Sequence, residues 1–153
     1  MKMRLLVDTN VLIDYIQDRK PFSDSALKLV MLGAFGEVEL WMSSSQVTDS
    51  FYILSEGGRC SLAEDAKQAL KEIRKVVRVG SVGEADIDAV LDSPWDDVED
   101  ACVHQCALKI KADAIITRNL EDFRRSSVKV FDCEGLFTYL KEEKGLEYEY
   151  LEM

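Results

Sequence analysis

Residues 4–14, Arg-Leu-Leu-Val-Asp-Thr-Asn-Val-Leu-Ile-Asp, hold a short apolar run that ends in a carboxylate and passes directly into helical spacing. The run Arg4–Asp8 reads as a buried strand. Thr9 and Asn10 then offer an N-cap for a helix with Val11, Leu12, Tyr15 and Ile16 on one face, and Pro21 breaks it. The same alternation continues outward. Ala26, Leu27, Val30 and Met31 predict a second helix closed by Gly33 and Gly36, and Val38–Met42 a second strand. Ser43–Ser45 cap a helix with Val47, Phe51 and Leu54 on one face, which stops at Gly57-Gly58. Ser61 followed by Glu64 is a capping-box pattern that opens a helix to about Lys75, ahead of a strand at Val76–Val79. A short helix over 84–91 ends before Pro94, and a helix from Asp96 runs to about Lys111. Strands at Ala114–Thr117 and Val128–Phe131 and a helix at Glu134–Lys141 complete the pattern. Strands alternating with helices imply a three-layer α/β/α fold around a mainly parallel central sheet of four to five strands.

The 153 residues are expected to form one domain, with an acidic tail at 145–153 that takes no assignment. A composition of 47% hydrophobic and 31% charged residues is that of an ordinary globular protein able to bury a core. Cys60, Cys102, Cys106 and Cys133 show no CxxC pair and read as buried, reduced thiols. A zinc site would need His104, the only histidine, which points away from the Cys102/Cys106 face. The apolar run before Asp8 is too short for a signal core or membrane span, so the expected location is the cytoplasm.

A formal net charge of −10 argues against nonspecific, high-affinity nucleic-acid binding. The acidity is local, however. Glu84 to Asp100 holds eight acids and no base, and the last thirteen residues hold five acids and two lysines. Bases gather at Arg59, Lys67, Lys71, Arg74, Lys75 and Arg78, and again at Lys109, Lys111, Arg118, Arg124, Arg125 and Lys129.

In an open parallel sheet, ligands bind beyond the carboxyl ends of the strands. Two strand ends here carry polar groups: Asp8-Thr9-Asn10 after the first, and Thr117-Arg118-Asn119 after the fourth. Asp8 alone reads equally well as a helix cap. Asp96 and Asp100, spaced i,i+4, and Asp97 and Asp100, spaced i,i+3, share a helix face. First-turn acids complement a helix dipole, yet four acids in five residues repel, and either a divalent cation or full solvation relieves that repulsion. Asp49 is a mid-helix acid, and Asp122 lies where a short turn could stand above the fourth strand.

Taken together, LLVDTNVLID (5–14), WDDVEDACVHQCAL (95–108) and ADAIITRNLEDF (112–123) resemble the PIN-domain nuclease family, from the first strand to about Phe137. The resemblance implies that Asp8 and Asp100 hold Mg²⁺ or Mn²⁺, that Asp49 holds it or positions the attacking water, and that Thr117 and Asn119 set the geometry by hydrogen bonds. Asp97, Asp122 and Asn10 are secondary candidates. Asp49 stands where the family usually has Glu, and Asn119 where many members have a fourth Asp. Three carboxylates then suit one ion better than two. Mg²⁺ takes oxygen ligands, keeps several waters and activates a phosphodiester for hydrolysis, so the implied activity is that of a metal-dependent endoribonuclease. Arg118, Arg124 and Arg125 are the bases placed to hold RNA.

Small size and the lack of an appended domain are similar to VapC-like toxin ribonucleases, which implies a homodimer silenced by a small antitoxin protein. A housekeeping RNA-processing role fits the same residues. The principal alternative is a catalytically weak or inactive PIN-fold module that binds RNA or protein, favoured by Asn119 and the net charge of −10. A haloacid-dehalogenase-type phosphatase would need a second Asp where Asn10 stands. A phospho-receiver would need an acceptor Asp where Gly80-Ser81 follows Val79.

Overall fold

The computed structural model describes residues 2–151; Met1 and the last two tail residues, Glu152 and Met153, lie outside the described residues. The elements run β1 (Met3–Val7), α1 (Thr9–Ile16), α2 (Ser23–Ala34), β2 (Val38–Ser43), α3 (Ser44–Leu54), α4 (Ala63–Ile73) and β3 (Val77–Gly80). They continue through α5 (Glu84–Leu91), α6 (Val98–Lys109), β4 (Ala114–Ile116), β5 (Lys129–Phe131) and α7 (Cys133–Glu143). The five strands pair in the order β3-β2-β1-β4-β5, and every pairing is parallel. The chain therefore builds outward from β1 through β2 to β3, then returns to the other side of β1. This places the topological switch point between β1 and β4.

Side chains alternate across each strand. Leu5, Val7, Leu40, Met42, Ala114 and Ile116 face one layer, where Leu12, Leu29, Leu32, Leu136 and Leu140 of α1, α2 and α7 cover them. Leu6 and Ile115 face the other, against Val103, Cys106 and Ala107 of α6 and the wholly buried Phe123. Each large aliphatic side chain so buried contributes about 1.5–3 kcal/mol before chain entropy is subtracted. The three-layer arrangement expected from the alternation of elements is present.

Several local expectations change. Asp8, not Thr9 or Asn10, caps α1, with its Oδ1 accepting from Thr9 N at 2.8 Å. Asp97, not Asp96, caps α6, accepting from Asp100 N at 2.9 Å, so Asp96 stays outside the helix and does not share its face. Ser61 and Glu64 form no capping box: Cys60–Leu62 winds as a 3-10 turn, and Glu64 pairs with Lys67 on the exposed side of α4. At the start of α3, Ser43 is the N-cap and its N–H donates to Gln46 Oε1 at 2.8 Å. Leu27 is exposed, because α2 turns Ala26, Leu29 and Val30 toward the sheet. Gly33 sets that approach: a Cβ there would lie 2.6 Å from Leu40 Cδ1.

Cys60 is exposed and free, contrary to its expected burial; the other thiols are buried, and burial pushes Cys106 up to about 11 and Cys133 up to about 12. His104 stacks on Trp95 at 4.8 Å between ring centroids and accepts from Ser127 N. The unassigned tail folds back. Tyr148, Tyr150 and Leu151 pack on the main core, Tyr150 meets Phe35 edge-on at 5.2 Å, and Lys28 Nζ donates to Leu151 O. Among the described residues no helix is long and apolar enough to cross a membrane.

Candidate functional site

β1 and β4 stop side by side, and their last residues hand the chain to two polar turns. Asp8 N donates to Ile116 O at 2.8 Å, so the first turn is an extension of the β1–β4 pairing. Thr117 is fully buried, and its Oγ1 donates to Asp8 Oδ2 at 2.8 Å. The same hydroxyl oxygen accepts from Asn119 N at 3.0 Å, and Asn10 Nδ2 bridges Asp8 Oδ2 (3.3 Å) and Thr117 Oγ1 (3.4 Å). Arg118 N donates to Asn10 Oδ1, and the Arg118 guanidinium grips the buried Asp14 of α1 through Nε at 2.6 Å and Nη2 at 3.3 Å. Asp8 thus has a fixed orientation and one hydroxyl donor, with Asn119 contributing through its backbone.

Gln46 secures a third element. Its amide donates to Val7 O at 2.8 Å and to Thr9 Oγ1 at 3.3 Å, while its carbonyl accepts from Ser43 N. This locks the start of α3 onto the end of β1. Sequence reading assigned Gln46 no role, although a Gln three residues after a capping Ser was the available signal.

The opposite wall is the first turn of α6. Asp100 is half-buried and its carboxyl is pushed up to about 7, first by burial and then by the negative charges of Asp97, Asp8 and Asp122. Asp8 is raised too, by burial, with the Thr117 and Thr9 hydrogen bonds opposing and Asp122 and Asp97 adding. Asp122 stands on the 3-10 turn Leu120–Phe123, anchored by buried Phe123. Asp8, Asp97, Asp100 and Asp122 therefore act on one another beside a cavity of about 170 Å³ lined by Trp95, Asp96, Asp97, Asp100, Glu121, Asp122, Arg124 and Arg125. Arg118 is engaged by the buried Asp14, whereas Arg124 pairs with Glu121 at 2.8 Å only in an exposed, solvent-screened contact.

Asp49 has a different neighbour. The Glu99 carboxyl is pushed up to about 7, first by a hydrogen bond with Asp49, then by burial and by the charges of Asp49, Asp97 and Asp100. The acids that act on Asp100 do not include Asp49. The sites brought together are thus Asp8, Asp97, Asp100 and Asp122 on one side, and Asp49 with Glu99 on the other. Glu99 is a residue the sequence reading missed. Its signal was position, next to Asp100 in a run of acids.

All these donors are carboxylate oxygens, the set that suits a hard divalent cation. Among the described residues no three His, Cys, Asp or Glu side chains converge closely enough to cage an ion. The donor set therefore fits an ion that keeps several of its waters and takes one or two carboxylates directly, as Mg²⁺ does, and not a dehydrated cage.

Replacing Thr117 by Val removes the hydroxyl that donates to Asp8 and leaves buried acceptor and donor groups unmatched. The expected cost is about 1–3 kcal/mol in urea unfolding, together with a further rise of the Asp8 pKa, read by carboxyl NMR titration. An unchanged midpoint would show that the bond holds nothing in place.

A model of the PIN domain matches residues 4–121. Over 142 residues the chain is 25% identical to Ribonuclease VapC1 of Aquifex aeolicus (strain VF5), covering 86% of this chain and 91% of that protein. In structure it is similar to VapBC2 from Rickettsia felis bound to a promoter DNA fragment, with a TM-score of 0.63 at 16% identity over 85% of this chain and 98% of that one. FitAcB from Neisseria gonorrhoeae gives 0.64 at 15% identity, over 85% and 98% of the two chains. The last two likenesses are likenesses of fold.

Proposed function

Because the chain belongs to the PIN-domain family, we propose that it is a single-domain, metal-dependent endoribonuclease, the toxin of a toxin–antitoxin pair. It works in the cytoplasm as a homodimer and is opposed by a small antitoxin protein. The observation that carries this reading is the Asp8–Thr117 pair at the switch point facing Asp97, Asp100 and Asp122. The similarity to a protein named as a ribonuclease supports it, as does the likeness in fold to VapBC2.

Asp8 and Asp100 would hold Mg²⁺ or Mn²⁺, with Asp49, Asp97 and Asp122 as the further carboxylates that could contribute. When bound, such an ion supplies Lewis acidity to the scissile phosphate and a water of lowered pKa. The chain's own groups do the rest. Thr117 and Asn10 hold the Asp8 carboxylate in one orientation, and the Arg118–Asp14 pair fixes the turn that carries Thr117. Arg124 and Arg125 line the adjoining cavity, where they meet RNA phosphates. Glu99, whose carboxyl is pushed up to about 7 first by its hydrogen bond with Asp49, shares a proton with that residue beside the site.

The test is cleavage of a mixed, structured RNA pool in Mg²⁺ and in Mn²⁺, with and without chelator. Cleavage that requires the metal supports the reading. Asn119 and the net charge of −10 favour, as a second reading, a PIN module that binds without cutting, and a protein inert under every metal condition would establish that one instead.

Metal linkage gives a separate test. Asp100 and Glu99 ionise at 3.8 and 4.5 in unfolded chain but near 7 in the fold. Between those values the native state holds protons that the unfolded state has released, so the metal-free protein loses stability as pH rises from about 4 to about 7. Asp86, held down to about 2 by Gly83 N–H and Lys109, acts only below that window. The melting temperature without metal should fall from pH 5 to pH 7.5, and Mg²⁺ should raise it more at pH 7.5 than at pH 5. A Mg²⁺ shift independent of pH would remove these carboxylates from the binding site.

A further inference from the structure

The turn Thr117-Arg118-Asn119 also borders a second cavity, of about 440 Å³, built by α1, the start of α2 and the start of α7. That volume lies within the range of about 300–1,000 Å³ typical of small-ligand sites. The cavity adjoins the carboxylates. Arg118 follows Thr117 in the chain, and Val11 stands about 5 Å along α1 from Asp8. Pro21, Phe22 and Ala26 give it an apolar wall, and Phe22 is 40% exposed.

Most of its polar groups are already engaged. Asp14 and Arg118 hold one another, Ser25 Oγ donates to Phe22 O, and Asp132 caps α7 by accepting from Gly135 N at 2.7 Å. Glu134 is different. It is exposed, and among the described residues it makes no hydrogen bond or ion pair, so both carboxylate oxygens are free.

Three acids around one paired cation reject a phosphate. The Arg118 guanidinium, 4.1 Å from the centre of the Phe22 ring, repels a second cation. A neutral planar ring meets neither penalty. It can stack on an exposed aromatic side chain, and its N–H groups are what a free carboxylate accepts. Among the four RNA bases, guanine alone presents two adjacent N–H donors on one edge, at N1 and N2, which a carboxylate can take with both oxygens.

We propose that this cavity receives a guanine base of the RNA, stacked on Phe22 and donating its N1–H and N2–H to Glu134. With the scissile phosphate at Asp8, that base belongs to a nucleotide beside the cut. Phe22 and Glu134 then determine specificity. This assignment rests on the RNA-cutting function proposed above and names the base that is read.

Fluorescence anisotropy tests it, with labelled single-stranded RNAs that differ at one central position: guanine, inosine, adenine, cytosine or uracil. The full chain carries Asp100→Asn so that the RNA stays whole in Mg²⁺, and circular dichroism is the folding control. The guanine RNA should bind about tenfold more tightly than the inosine RNA, which lacks only the N2 amino group. Glu134→Gln puts a donor where an acceptor stood and should abolish that difference. Phe22→Leu keeps the apolar bulk without the ring and should weaken the guanine RNA about tenfold, whereas Phe22→Trp should preserve binding.

Equal affinity for all the RNAs overturns the proposal, as does a guanine preference that survives Glu134→Gln or is indifferent to Phe22→Leu. An arginine-bearing peptide that binds through Glu134, while the RNAs stay indistinguishable, overturns it too and gives the cavity to a protein. Cleavage by the wild type is read separately. Metal-dependent cutting with no preference for guanine sinks the base pocket alone, and guanine-dependent binding by a wild type that never cuts sinks the nuclease alone.

Discussion

Asp100→Asn lowers metal-dependent RNA cleavage by at least about 10²–10³-fold, the loss typical of removing one group that stabilises charge at a reacting centre. The same substitution raises the melting temperature of the metal-free protein at pH 7.5. Both effects have one cause. Asp100 is half-buried among Asp97, Asp8 and Asp122, so its charge is costly until a cation is present. The neutral amide keeps the shape and removes the repulsion, and with it a ligand. The two signs separate a functional carboxylate from a structural one, because a structural acid would lose stability on replacement. Cleavage rates and metal-free melting curves at pH 7.5, side by side, decide it. A variant that is both less stable and fully active would remove Asp100 from the site.

Arg118→Met destabilises the fold by about 3 kcal/mol, the low end for breaking a buried ion pair. Asp14 is 1% exposed at its side chain and Arg118 is 30% exposed, so water recovers part of the loss. The guanidinium also lies 4.1 Å over the Phe22 ring, a contact worth about 0.5–1 kcal/mol. For a chain of this size the melting temperature should drop by about 6–12 °C. Below that temperature the turn Thr117-Arg118-Asn119 loses its anchor to α1, and kcat should fall with KM little changed. Adding Asp14→Asn to Arg118→Met removes the orphaned charge and should return part of the stability. If the double variant is as unstable as the sum of the single ones, the pair is not coupled and its role in holding the turn fails.

Asp8 was legible because a strand-end carboxylate is a local feature, written in the apolar run before it and the helical spacing after it. Thr117 was legible for the same reason at the end of β4. The capping of α6 was less so. Two adjacent acids, Asp96 and Asp97, compete for one cap, and Asp97 takes it just after Trp95, which packs against His104 and Phe123. That choice decides which acids face which partner. Successive helix residues point about 100° apart, so Asp100 turns to Asp8 and Asp122 while Glu99 turns to Asp49.

By itself, then, the sequence determined the order of strands and helices, the strand ends that carry Asp8 and Thr117, and the chemistry of a carboxylate site. Those follow from periodicity and residue type, which act over a few neighbours. Only the tertiary structure decided that β4 returns beside β1, that Asp49 sits with Glu99, and that Arg118 locks onto Asp14 across 104 positions of chain. Side chains so far apart in sequence meet only when the sheet order is set, and burial then makes their charges act on one another.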